Sequence, residues 1–194
     1  MRSHLMTTTS MDKTEDARDS FTLVDILRFI SGLLLLNAFA SWWFTSSSTW
    51  GYNGKWINPR YLSHIVTGNM VNLTLDELAS YKGEDPNLPI YIAINGSVYD
   101  VTCAPEIYGP KGPYRFFSGR DSARAFVTGC FQNPEEFTYD LRGLDLEEAA
   151  TDIRNWQRYF EKSSRYWYVG SVEHEPLAGE PPAPCKHNKY PNHQ

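Results

Sequence analysis

The chain has 194 residues, of which 41% are hydrophobic and 21% charged, and a net charge of -5. That length suits one domain with extensions, and the acidic balance excludes the basic stripe that nucleic-acid binding needs. The three cysteines, Cys103, Cys130 and Cys185, form no CxxC pair, which argues against zinc and against a disulfide framework, so a reducing compartment is the simpler expectation.

Residues 1–20 have almost no aliphatic content and are expected to be disordered. From Phe21 the chain reads "FTLVDILRFISGLLLLNAFASWWF". The unbroken run Phe29 to Phe44 falls just under the roughly 17–25 residues of a spanning helix. Extension back to Leu23 reaches that length and takes in Asp25 and Arg28, which sit three apart on one helical face and can pair. Trp42 and Trp43 close the far end as interfacial aromatics do. A single membrane anchor over 21–45 is expected. The alternatives are a buried core helix or a signal-peptide core, although a signal would sit closer to Met1 and end in small residues rather than "SWWF". Lys13, Arg18 and Arg28 on the near side and Lys55 and Arg60 on the far side leave its orientation undecided.

Residues 46–71 mix Ser, Gly, Pro and Trp and read as a linker, with Trp50, Tyr52 and Trp56 available to the membrane surface. The folded unit is expected over 72–172, large enough for one core. Within it, Thr74 and Glu77 form a capping box, opening a short helix that carries Leu75, Leu78 and Tyr81 and ends near Gly83. "IYIAINGSVYDV" over 90–101 predicts two strands joined at Asn95-Gly96, the preferred two-residue hairpin turn. Asp121 is expected to cap a second helix carrying Ala123, Phe126 and Val127. Asp145 and Glu148 precede the longest helix of this unit, with Ala149, Ile153, Trp156 and Phe160 at helical spacing. "RYWYVGSV" over 165–172 predicts a final strand. The pattern is α+β, a small sheet with helices to one side. Residues 173–194 read as a disordered, Pro-rich tail.

One loop departs from ordinary turn chemistry. "YGPKGPYRFFSGRD" over 108–121 places Tyr108 and Tyr114 beside Gly-Pro units and follows them with Phe116 and Phe117. Pro110 and Pro113 fix their own backbone angles, while Gly109 and Gly112 permit reversals. The loop is therefore stiff. Its tyrosines either bury their rings and find hydroxyl partners, or one phenolate serves as an axial ligand to haem iron. Arg120 and Arg124 read as solvated or structural, and Cys130 as core.

The segments "LTLDELASYKG", "IYIAINGSVYDVT", "YGPKGPYRFFSGRDSARAFVTGCF" and "RYWYVG", in that order, resemble the membrane-associated progesterone receptor family of cytochrome b5-like haem/steroid-binding domains. The resemblance implies a cytochrome b5-like haem/steroid-binding domain behind an N-terminal single transmembrane helix. It implies ferric haem, with Tyr114 as the iron ligand, Tyr108 as its hydrogen-bond partner, and Arg165 and Tyr166 at the propionates. It further implies an endoplasmic reticulum membrane address with the domain on the cytosolic side, support of haem-thiolate monooxygenases or sterol metabolism, and an open haem face available for a homodimer. A ligand-independent membrane adaptor and direct steroid or sterol binding without haem are the alternatives. Electron transfer of the cytochrome b5 type needs two histidines, and none lies between Asn72 and Val172. Without a nucleophile–base pair, paired carboxylates or a phosphate loop, no enzyme is expected. Two N-glycosylation sequons, Asn72-Leu-Thr and Asn95-Gly-Ser, provide a check on the side of the membrane.

Overall fold

A computed structural model of the protein describes residues 22–183 and 185. They divide into two units, one ending at Gly51 and the other beginning at Tyr52. The expectation for residues 1–20 lies outside the described residues.

The first unit is α1 (Leu23–Thr45), opened by the Thr22/Asp25 capping box and closed by Ser46 in the left-handed conformation. At about 1.5 Å per residue its 23 residues exceed the roughly 30 Å hydrocarbon layer, so it is long and apolar enough to cross a membrane. Arg28 and Asp25 pair at 3.3 Å, as their spacing predicts. Trp50 folds back on the helix end, its indole donating to Asn37 Oδ1 at 3.2 Å.

The second unit is built on a four-stranded sheet of β1 (Val71–Leu73), β2 (Tyr91–Ile94), β3 (Ser97–Asp100) and β4 (Trp167–Val172). The order is β1-β4-β3-β2, parallel between β1 and β4 and antiparallel elsewhere. The expected hairpin is present, with Asn95 and Gly96 both at positive φ. Around the sheet lie α2 (Pro59–Thr67), α3 (Leu75–Ala79), α4 (Pro105–Tyr108), α5 (Ala123–Thr128) and α6 (Leu146–Lys162). The capping box at Thr74 and the Asp145 cap form as read. The first of these helices is shorter than expected and stops at Ala79.

Both faces of the sheet are covered, which corrects the expectation of helices to one side. On one face Ile92, Ile94 and Tyr99 join Phe117, Phe126, Ile153 and Phe160. On the other, Tyr91, Ala93, Trp167 and Val169 pack with Leu78 and, at the margin, Tyr61 and Leu75. All four residues of β2 are buried; such a strand loses alternation and reads as a continuous apolar run.

The boundaries move outward at each end. Residues 46–71 are not all linker, because Asn58 caps α2 and Pro59 starts it, and Tyr61 packs 5.2 Å from Trp167. Lys55 lies buried, its backbone N–H donating to the Ser164 carbonyl at 2.8 Å. The tail is not disordered over the described residues 173–183 and 185. The Tyr139 hydroxyl donates to the Glu175 carbonyl at 3.0 Å, Arg142 Nη1 to Gly179 at 3.2 Å and Arg124 Nη2 to Pro182 at 3.2 Å. Cys185 is disulfide-bonded to Cys130, which corrects the expectation of a reduced protein. Pairing 55 positions apart in sequence leaves no spacing signature.

Gly170 permits the parallel pairing, since a Cβ there would sit 1.9 Å from the Val71 carbonyl oxygen. Gly170→Ala is expected to lower unfolding free energy by at least about 2 kcal/mol, measured by urea denaturation. A pH effect follows from Asp100, whose carboxyl is pushed up to about 6 by burial, against hydrogen bonds from Thr102 and the charges of Arg60 and His64. Unfolded, it titrates near 3.8, so between those values the folded state holds the extra proton. Stability from this group is full below about 3.8 and is lost as pH rises through about 6. Asp100→Asn should flatten the stability curve over that window by about 3 kcal/mol, read from unfolding midpoints at a series of pH values.

Candidate functional site

The stiff loop is held by its own backbone. Gly112 N–H donates to Gly109 at 2.8 Å, Tyr114 N–H to Ile107 at 3.0 Å, and Ser118 Oγ to the Tyr108 carbonyl at 2.6 Å. Neither Gly109 nor Gly112 has positive φ, so reversal is not their reason for being there. A Cβ at Gly112 would lie 2.1 Å from the Ile107 carbonyl oxygen, and one at Gly109 would lie 2.4 Å from that of Pro105. Close approach of the loop to α4 requires both glycines, and that contact sets the separation of the two tyrosines.

The tyrosines differ sharply in environment. Tyr108 is 8% exposed and Tyr114 is 41% exposed, with ring centroids 6.4 Å apart. Tyr108 also meets Tyr166 edge-on at 5.7 Å. Burial first, then the neighbouring Tyr166 and Tyr159 phenols, hold Tyr108 far above the ordinary phenol range. Burial likewise raises Tyr166. Both therefore remain protonated and can donate. Tyr114 stands against Phe116, Phe117 and Phe131 at centroid distances of 5.9, 6.1 and 6.2 Å, an aromatic platform with one accessible phenol.

Arg165 is turned to a different set of partners. Its guanidinium donates to the Cys103 carbonyl and forms a close pair with Glu106, which holds the Glu106 carboxyl below its usual range, backbone contact contributing most. The structure thus brings Tyr108, Tyr114 and Tyr166 together, with Arg165 at the opposite end of α4 from Tyr108. Sequence reading missed Glu106, Phe131, Tyr159 and Lys55. Lys55 Nζ donates to the Tyr166 carbonyl at 3.3 Å, and burial lowers its pKa. Only Tyr159 carried a local signal, lying three residues after Trp156 on the apolar side of α6, and its ring stands 6.5 Å from Tyr166.

Arg124, expected to be solvated or structural, is structural: its side chain and that of Glu136 are 1% and 0% exposed and lie 3.3 Å apart. Asp121 is not the N-cap of α5, a position that Ser122 holds without a side-chain cap hydrogen bond. It ties the hairpin turn to the start of that helix instead, accepting from the turn amides of Asn95 and Gly96 at 2.9 and 2.6 Å and from Ala123 at 3.1 Å, and it meets His174 at 2.8 Å.

Residues 74–172, just over half of the chain, match the family described as "Cytochrome b5-like Heme/Steroid binding domain". The chain belongs to this family. Its relatives bear membrane steroid-binding and progesterone-binding names, in agreement with the resemblance carried by the tyrosine loop. It is 40% identical over 101 residues to Membrane steroid-binding protein 2 of Oryza sativa subsp. japonica, covering 52% of this chain and 37% of that protein. Identity is 42% over 97 residues to Membrane-associated progesterone-binding protein 4 of Arabidopsis thaliana, covering 50% and 38%. It is 39% over 97 residues to Neuferricin of Mus musculus, covering 50% and 35%. The chain therefore spans little more than a third of the length of these relatives.

Gly112→Ala tests the loop. It is expected to cost about 1–3 kcal/mol in urea unfolding while far-UV circular dichroism stays unchanged, because the clash is confined to the loop and α4.

Proposed function

We propose that the domain is a membrane-anchored haem-binding module in which the Tyr114 phenolate ligates ferric iron. Tyr108 donates a hydrogen bond to that phenolate, and Arg165 and Tyr166 address the propionates. The observation that carries this reading is the contrast between the two phenols of one rigid loop. The exposed one is accessible to a ligand, and the buried one is held protonated behind it. The donor set and the aromatic platform fit a flat, apolar, iron-bearing group. When bound, haem would supply a ferric centre whose axial ligand tunes its potential. Arg165 already holds Glu106, so propionate contact shares one guanidinium between two carboxylates, a geometry its fork of donors allows.

The domain is read as a binding module rather than an enzyme. By resemblance its partners are haem-thiolate monooxygenases or sterol-pathway proteins at the endoplasmic reticulum, and the accessible Tyr114 face is available to a second copy. The resemblance carries cytosolic placement of the domain, against which the Cys130–Cys185 bond weighs. Direct binding of a steroid or sterol without haem is the second reading, favoured by the names of the relatives and by the same aromatic platform. A ligand-independent adaptor is the third.

Absorption titration of the detergent-purified full chain with ferric haem separates these. The wild type is expected to saturate at one haem with a tyrosinate-type spectrum. Tyr114→Phe should weaken binding more than tenfold, a loss of over about 1.4 kcal/mol, and Tyr108→Phe by about 1 kcal/mol, one hydrogen bond. Equal behaviour of wild type and Tyr114→Phe would reject tyrosinate ligation and favour the sterol or adaptor reading.

A further inference from the structure

The tail disulfide and the surface around Asn72 bear on where the domain resides. Cys130 is 4% exposed, and its Cα lies 6.5 Å from that of Cys185, within the span a disulfide bridges. The chain between β4 and Cys185 is led to this bond by successive contacts. His174 stacks on Tyr139 at 4.1 Å and meets Asp121, Glu175 and Gly179 receive Tyr139 and Arg142, and Pro182 receives Arg124. The third cysteine stands apart. Cys103 is half-buried and free, and its sulfur receives the Asn58 amide at 3.2 Å. The cysteines are thus one bonded pair and one free thiol. Such pairs persist in the lumen of the secretory pathway and outside the cell, and are kept reduced in the cytosol.

Asn72 supplies an independent observation. It begins the sequon Asn72-Leu73-Thr74 and is exposed on β1, one of the two edge strands of the sheet. Its side chain makes surface contacts with Glu173 at 2.7 Å and Ser171 at 3.0 Å. A glycan there displaces nothing buried and covers a strand edge, which otherwise invites pairing with another chain.

We propose that the domain following α1 lies on the oxidising, non-cytosolic side of the membrane and carries an N-linked glycan on Asn72. This does not rest on haem binding. In this placement the Tyr114 face meets ligands and partners of the secretory lumen or the cell exterior.

The test uses the full chain expressed in eukaryotic cells and recovered in sealed microsomes. Three results are expected. Glycosidase produces a one-glycan mobility step that Asn72→Gln abolishes, the glutamine keeping an amide on the strand. Maleimide labels one cysteine in the denatured, unreduced protein and three after reduction. Added protease spares the domain until detergent is supplied. Digestion of the domain in sealed microsomes, with three cysteines labelled before reduction, would overturn the placement. A protected, oxidised domain without a glycan would overturn the Asn72 assignment alone, and a step abolished by Asn95→Gln instead would move the site to the hairpin turn. None of these readouts involves haem, so failure here is distinct from failure of tyrosinate ligation.

Discussion

A buried guanidinium organises the half of the domain that lies beyond the sheet. Arg124 sits on α5 with its side chain 1% exposed, and a charge so placed is costly unless surrounding groups replace its water. They are gathered from distant parts of the chain. Glu136 lies 3.3 Å from Nε, the Asp140 and Arg142 carbonyls receive Nη1 at 3.0 and 2.9 Å, and Pro182 receives Nη2 at 3.2 Å. Glu136 is held in turn by Thr128 Oγ1 at 2.7 Å. The long loop between α5 and α6 has little regular structure, so these polar contacts to one cation give it shape. The same cation draws in the tail, and the tail delivers Cys185 to Cys130.

The tyrosine loop depends on a different constraint, close backbone approach. Gly109 and Gly112 leave the loop lying on α4 without Cβ atoms between them, and the prolines remove the remaining freedom. Rigidity at this point separates two phenols of the same chemistry into two environments. Burial beside Tyr166 and Phe160 holds one as a donor, while the other keeps its oxygen in reach of solvent. Lys55 supports this arrangement from a segment that precedes the sheet, since its ammonium anchors the main chain of Tyr166. Linker, strand and loop thus converge on one face.

The disulfide has a consequence for the end of the domain. A tail without helix or strand would be expected to fray, yet here it is tied by hydrogen bonds and closed by a covalent bond. Stabilisation of this kind constrains the unfolded chain and suits a domain working where thiols oxidise. The edge strand β1, which pairs only with β4 in the sheet order, is the weak point of such a surface, and its exposed residue is Asn72.

The hairpin, the capped helices at Thr74 and Asp145, the final strand and the long apolar helix were legible residue by residue. Each rests on local chemistry: Asn-Gly favours positive φ, a hydroxyl or carboxylate satisfies first-turn amides, and an unbroken apolar run of this length suits a continuous helix. The paired tyrosines were legible as a motif. Their division into an accessible phenol and a protonated donor was not, because burial is set by Tyr166 and Phe160, which lie more than forty residues further along the chain. The second covered face of the sheet, the partners of Arg124, the ion pair of Arg165 with Glu106 and the Cys130–Cys185 bond were likewise hidden. All join residues far apart in sequence, and neither propensity nor periodicity records which distant group will answer a buried charge or meet a thiol; the packed chain makes that choice by bringing them within hydrogen-bonding or bonding distance.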